Sequence, residues 1–266
     1  MLDPFNRHIT YLRISVTDRC NLRCTYCMPA EGVDYKPHNA ILSFEEIIEV
    51  VRTGVSLGIN KIRLTGGEPL VRKGIVGLVK MIHEVEGIRD LGLTTNGILL
   101  PGMASALKEA GLNRVNISLD TLDPVKYARI TRRGKLEDVL AGIDAAQEAG
   151  LDPVKINFVR IKGVNEEDEA PVKSFCEKKG LKLRFIRQMD LASGEFYPVE
   201  GGEGGVCKIC NRLRMTADGY IVPCLFSDYG YNIREHGIEE AFYLALNKKP
   251  ESGERSHSHT FNKIGG

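Results

Sequence analysis

Apolar and polar positions alternate along this chain in a repeating order. A short apolar run at residues 11–16 reads as a strand. From Phe44 on, Ile47, Ile48, Val50, Val51 and Val55 fall at the spacing of one helix face. Ser43 and Glu46 stand as a capping box ahead of that helix, and Gly58 closes it. The pattern then recurs. Strands are predicted at 61–65, 90–94, 114–120, 154–159 and 183–187, with helices at 75–85, 103–110, 136–149 and 167–178. Six strands that alternate with helices predict a parallel sheet with right-handed crossovers. Six units are too few to close an eight-stranded barrel, so the expected fold is α/β, an open partial (β/α)6 TIM-type barrel. After Asp190 the pattern breaks. Residues 191–206 are rich in Gly and Glu and read as a mobile connection, followed by a hairpin at 213–222 that turns at Asp218-Gly219. The division expected is a barrel at 1–190 and a small C-terminal segment at 191–266.

The strand ends carry the chemistry-bearing residues, which is where open α/β sheets bind ligands. Cys20, Cys24 and Cys27 stand in a C-x3-C-x2-C loop after the first strand. Three thiolates this close can hold one metal centre. A structural zinc ion would want a fourth ligand, and His38 is the near candidate. A [4Fe–4S] cluster on three cysteines leaves one iron open. Gly66-Gly-Glu-Pro69 follows the second strand, Thr94-Thr-Asn-Gly97 the third and Ser118-Leu-Asp120 the fourth. Cys207, Cys210 and Cys224 form a second triad that the hairpin folds together. Its plain alternative is a zinc knuckle completed by His236, His257 or His259. Cys176 reads as a buried helix residue.

Composition narrows the choices. The 266 residues include 42% hydrophobic and 27% charged positions, enough for a sizeable core. A net charge of +1 gives no global field for nucleic acid or membrane, and no apolar run is long enough to span a bilayer. Seven cysteines, six of them in two tight groups, behind a polar N-terminus with no signal-peptide core, predict metal ligation in a reducing, cytoplasmic setting. Arg13, Arg63 and Lys155 interrupt apolar strands, where a charge needs a partner.

The cysteine loop with the Gly-Gly-Glu-Pro turn resembles the radical S-adenosylmethionine (SAM) superfamily. With the second triad and the terminal Gly265-Gly266, the chain is similar to the GTP 3′,8-cyclases (MoaA) of molybdenum cofactor biosynthesis. Further strings agree: Ser15-Val-Thr-Asp-Arg-Cys-Asn21, Ile62-Arg-Leu-Thr-Gly-Gly-Glu-Pro-Leu70, Asn116-Ile-Ser-Leu-Asp120, Arg184-Phe-Ile186 with Met189, and Asn211-Arg-Leu-Arg214. The resemblance implies two [4Fe–4S] clusters, on Cys20, Cys24 and Cys27 and on Cys207, Cys210 and Cys224. It implies SAM contacts from Tyr26, Gly66, Gly67, Glu68, Ser118 and Met189. GTP contacts are implied for Arg13, Lys61, Arg63, Thr94, Lys155, Arg184, Arg212, Arg214, Gly265 and Gly266. Arg212 and Arg214, beside the second triad, would take part in catalysis, as would Cys20, Cys24 and Cys27. The implied reaction uses a 5′-deoxyadenosyl radical to convert GTP to 3′,8-cyclo-7,8-dihydro-GTP, with a flavodoxin or ferredoxin as electron donor. Cyclic pyranopterin monophosphate synthase would act downstream, and the family makes a homodimer plausible. Two departures stand out: only sixteen residues separate Asp190 from Cys207, and Arg187-Gln188 replaces an acidic and an aromatic residue. They leave two alternatives, a radical SAM enzyme acting on another nucleotide or a peptide, and a non-catalytic protein with two zinc sites.

Overall fold

The computed structural model describes residues 1–257. Six parallel strands form in chain order: β1 (Tyr11–Ser15), β2 (Lys61–Thr65), β3 (Asp90–Thr95), β4 (Arg114–Ser118), β5 (Lys155–Arg160) and β6 (Lys182–Arg187). Between them run α1 (Phe44–Ser56), α2 (Ile75–His83), α3 (Ala104–Glu109), α4 (Pro124–Thr131), α5 (Leu136–Glu148) and α6 (Glu169–Lys178). The Ser43–Glu46 capping box forms as expected. Helix α4 was not foreseen. Its signal is Asp123-Pro124: the Asp123 carboxylate accepts from Lys126 N, and Pro124 sits at the first helical position.

The sheet order is β6-β5-β4-β3-β2-β1-β7-β8-β9, open at both ends, with β7 at Arg212–Met215, β8 at Tyr220–Val222 and β9 at Tyr231–Asn232. The expected hairpin forms as β7 and β8. It is followed by β9, α7 (Ile233–His236) and α8 (Ile238–Asn247). The hairpin is not set apart from the barrel. β7 pairs parallel to β1, Tyr11 opposite Arg212 and Arg13 opposite Arg214, so it extends the same sheet. Leu213, Met215, Ile221, Phe242 and Leu246 share the main apolar core with the barrel helices.

Side chains alternate across a strand, and here the two faces differ in kind. Leu12 and Ile14, Ile62 and Leu64, Leu91 and Leu93, Val115 and Ile117, and Ile156 and Phe158 are buried in the core. Full burial of each large side chain contributes about 1.5–3 kcal/mol. The opposite face carries Arg13, Lys61, Arg63, Thr65, Thr94, Arg114, Asn116, Ser118 and Asn157, which line a cavity. Cys176 is 1% exposed within the core, as read from sequence.

The segment 191–206 is folded rather than a loose connection. Glu200 bridges Phe185 on the β6 edge through two backbone hydrogen bonds of 3.1 Å. Arg160 pairs with Glu200 and with Glu169. Gly201 and Gly205 have φ of +76°, and a Cβ would lie 2.6 Å from Leu183 O or 2.1 Å from Tyr197 O. The glycines that suggested mobility from sequence are those that let the segment turn tightly against its neighbours.

Candidate active site at the mouth of the partial barrel

One cavity of about 370 Å³ opens at the C-terminal ends of the strands. At one end, the loop after β1 carries Cys20, Cys24 and Cys27. Gly67 N donates to Thr17 O and Glu68 N to Arg19 O, both at 2.8 Å, so the turn after β2 is laced to this loop. A Cβ on Gly66 would stand 2.5 Å from Thr17 O, and on Gly67 2.4 Å from Arg19 O. The two glycines therefore permit backbone to lie against backbone. Behind the loop, the end of α4 accepts from Arg23 N through Thr131 O and from Thr25 N through Ile130 O, each at 3.0 Å. Arg132, with φ of 61°, donates from Nη1 to Arg23 O and Met28 O at 2.9 Å.

Two buried carboxyls organise this end. Glu68 accepts from Leu70 N, Thr95 Oγ1 and Asn96 N at 2.7–3.0 Å. Asp120 accepts from Tyr26 Oη and Val159 N, both at 2.8 Å. Burial pushes Asp120 up to about 6 and Glu68 up to about 7. Glu68 holds its proton more tightly folded than unfolded. Its contribution to stability is complete below its ordinary value of 4.5 and disappears as pH climbs through about 7. That rise corresponds to about 3 kcal/mol. The stability difference between the wild-type chain and Glu68→Gln, both free of metal, is expected to move against the wild type as pH rises from about 5 to about 8. Denaturant unfolding measures it, and a difference independent of pH would show a carboxyl ionised throughout.

The thiols of the first triad sit close enough to oppose one another's ionisation. Burial raises Cys24 well above 9.0, and Cys27, Asp120 and Cys20 raise it further; burial and Cys20 push Cys27 up to about 12. Three thiolates here require a cationic centre among them. No histidine lines the cavity among the described residues, and His38 is exposed, so the histidine expected to close a zinc site at the first triad is not in place. His259 lies outside the described residues.

At the other end, Cys207, Cys210 and Cys224 line the cavity, as do Arg212 and Arg214 between them. Cations from neighbouring strands stand side by side: Arg214, Arg13 and Arg63 are in register across β7, β1 and β2. Like charges directly opposite destabilise a sheet. Burial lowers Arg13, and Arg214 and Arg63 lower it further; burial and Arg212 bring Arg214 down to about 10. Tyr11 sits among them, its hydroxyl accepting from Arg63 Nε at 2.7 Å. Burial alone would raise Tyr11, yet Arg63, Arg13 and Arg212 outweigh it and bring it to about 8. Deeper down, Asp90 pairs with both Arg114 and Lys61.

Every described residue assigned from sequence lines this cavity except Lys155. Lys155 is half-buried beside Asn116 in register, brought down to about 8 by burial and then by Arg184 and Arg114. Gly265 and Gly266 lie outside the described residues. Sequence reasoning did not single out Asp120, Asn116 or Asn157 as site residues. Asn116 Oδ1, Asn157 Oδ1, Thr94 Oγ1 and Arg184 Nε are buried with no partner among the described residues. An acceptor, a donor or both must be met there by a ligand or by water. The period-2 alternation that puts Asn116 on the face of Ser118 was the available signal.

The Radical SAM superfamily model matches residues 14–175. The GTP 3′,8-cyclase of Petrotoga mobilis is 44% identical over 304 residues, covering 95% of this chain and 94% of that protein. The GTP 3′,8-cyclase of Thermodesulfovibrio yellowstonii is 42% identical over 305 residues, covering 94% and 95%. The chain belongs to the GTP 3′,8-cyclase family of radical SAM proteins. Its alignments to these cyclases run longer than its own 266 residues, so each relative carries residues without a counterpart here. Among solved structures, Streptococcus suis SuiB bound to precursor peptide SuiA superposes with a TM-score of 0.67 at 17% identity, covering 93% of this chain and 66% of that one. The structure of anSMEcpe with bound AdoMet gives 0.64 at 17% identity, covering 90% and 78%. These two share the fold. As a member of the cyclase family the protein uses two [4Fe–4S] clusters and SAM, and both thiol triads suit such clusters.

Proposed function

We propose that this chain performs the reaction of its family, converting GTP to 3′,8-cyclo-7,8-dihydro-GTP at the start of molybdopterin synthesis. The observation that carries this reading is the single cavity that joins both thiol triads across a row of buried cations. When bound, the clusters and SAM supply the one-electron and hydrogen-abstraction chemistry by which the ribose C3′ is joined to C8 of guanine. The chain holds and orients. Tyr26, the Gly66-Gly67-Glu68 turn, Ser118 and Met189 hold SAM at the first triad. Arg13, Lys61, Arg63, Thr94, Lys155 and Arg184 meet the nucleotide, and guanidinium forks suit its phosphate oxygens. Arg212 and Arg214 act beside the second triad, whose three cysteines would hold a cluster with an iron free to take a nitrogen of the guanine.

In this division residues 1–190 serve as the radical SAM barrel and 191–266 as the auxiliary-cluster and substrate segment. The folded stretch 191–206 contributes Val199, Glu203 and Val206 to the cavity wall and helps to exclude water. No described helix is long and apolar enough to cross a membrane. A cytoplasmic setting, a flavodoxin or ferredoxin as donor, the cyclic pyranopterin monophosphate synthase downstream and a homodimer complete the proposal.

The test is an anaerobic assay of the reconstituted protein with dithionite, SAM and GTP. 5′-Deoxyadenosine and a cyclised guanine nucleotide are expected together. 5′-Deoxyadenosine with no product from GTP would point to another substrate for the same radical chemistry.

A further inference from the structure

The second triad is braced by a short strap just beyond α8. Lys249 is 3% exposed. Its Nζ donates to Arg212 O and to Pro223 O, both at 2.8 Å. These carbonyls lie at the open end of the hairpin, where the β7–β8 pairing has stopped at Arg214 and Val222. Arg212 is two residues after Cys210, and Pro223 immediately precedes Cys224. The ammonium thus bridges the two chain segments that present those cysteines. Its positive charge acts on both Cys210 and Cys224, favouring their thiolates. The strap continues the contact: Ser252 Oγ donates to Cys207 Sγ at 3.6 Å. Arg7, paired with Asp3, donates to Cys207 O and Glu251 O at 2.8 Å and to Pro250 O at 2.6 Å.

Among the described residues no carboxylate lies within ion-pair reach of Lys249. A buried ammonium with only carbonyls for company is costly. Three thiolates outweigh the charge of an oxidised [4Fe–4S] core by one, which supplies the missing anion. The two ends of the cavity differ in this respect. The first triad faces the carboxyls of Asp120 and Glu68 with Arg23 as its one nearby cation, whereas the second faces Lys249, Arg212 and Arg214.

We propose that Lys249 is the counter-charge of the second cluster, a positioning residue that holds its cysteines together and makes it the more easily reduced of the two. Net charge and hydrogen bonds to sulfur are the groups through which a protein sets cluster potential. Ser252 acts in the same direction, more weakly because it carries no charge. The inference rests on the second triad holding a cluster, which the iron content of the wild-type protein establishes independently.

The experiment is a potentiometric titration of the reconstituted holoprotein followed by electron paramagnetic resonance, for the wild type, Lys249→Met, Lys249→Arg and Ser252→Ala. The signal of the first cluster serves as an internal control for folding. Lys249→Met is expected to lower the midpoint of the second cluster and leave the first unmoved. Lys249→Arg is expected to return most of the shift, and Ser252→Ala to give a smaller one of the same sign. Loss of the second cluster from Lys249→Met alone, with Lys249→Arg keeping it, would equally show that the charge is required. An unmoved midpoint in Lys249→Met, or equal loss of the cluster from both Lys249 variants, would overturn the proposal.

Discussion

Cys24→Ser is expected to abolish 5′-deoxyadenosine and cyclised nucleotide together, whereas Cys210→Ser is expected to keep the first product and lose the second. Cys24 is the middle ligand of the first triad. It is buried within electrostatic reach of Cys27, Asp120 and Cys20, so its loss opens the cluster site from within. Enzymes accelerate their reactions by about 10⁶-fold or more. Removing the group that generates the radical should therefore cost at least about a thousand-fold in turnover. Cys210 stands at the far end of the same cavity, next to Arg212 and Lys249. Anaerobic chromatography of both products separates the two roles. Equal loss of both products in Cys210→Ser, with the first cluster intact by spectroscopy, would contradict the division of labour.

Arg63→Met carries the second large effect, and it has two signs. Arg63 is 4% exposed, lies opposite Arg13 in register, and leaves Nη1 with no partner among the described residues. Gly92 stands opposite it on β3, where a Cβ would come within 3.3 Å of Nη2. The sheet thus reserves room for a guanidinium that it does not itself satisfy. A charge-assisted hydrogen bond contributes about 1.5–3 kcal/mol. GTP binding should weaken by about 10- to 100-fold in equilibrium titration. The thermal midpoint of the nucleotide-free protein should hold or rise, since relief of repulsion offsets the lost bond to Tyr11 Oη. A lower midpoint with unchanged affinity would mark Arg63 as structural.

Much of this arrangement was legible before any coordinates. The β-branched strands and the Ser43 capping box are local signals, and each produced its element. The cysteine spacings and the Gly66-Gly67 turn gave both ends of the cavity. What escaped were features without local grammar. Helix α4 is only eight residues long, about two turns, too short for its apolar spacing to repeat, although Asp123-Pro124 announces it. Helix α8 was readable from Ile238, Ala241, Phe242, Ala245 and Leu246, which fall at helical spacing. Asp120 stood inside a quoted motif, yet its bond to Tyr26 spans two elements that only the fold brings together. Lys249 has no motif at all. Its role follows from two carbonyls and two cysteines that are distant in sequence. The glycines of 191–206 misled because the same residue serves a loose linker and a tight turn.

The pairing of β1 with β7 sets a clock on the chain's own synthesis. Tyr11 and Arg212 are neighbours in the sheet but about 200 residues apart along the chain. Ribosomes extend a chain at about 5–20 residues per second. For roughly ten to forty seconds, then, the nascent barrel carries β1 as a bare edge, with its backbone donors and acceptors unmatched on one side. The first cysteine loop, the Gly66-Gly67 turn and α4 have all emerged in that interval, and the second triad has not. The cysteines of the two sites therefore emerge in a fixed order, and the strand that lies between those of the second is also the one that shields the young sheet from joining another chain.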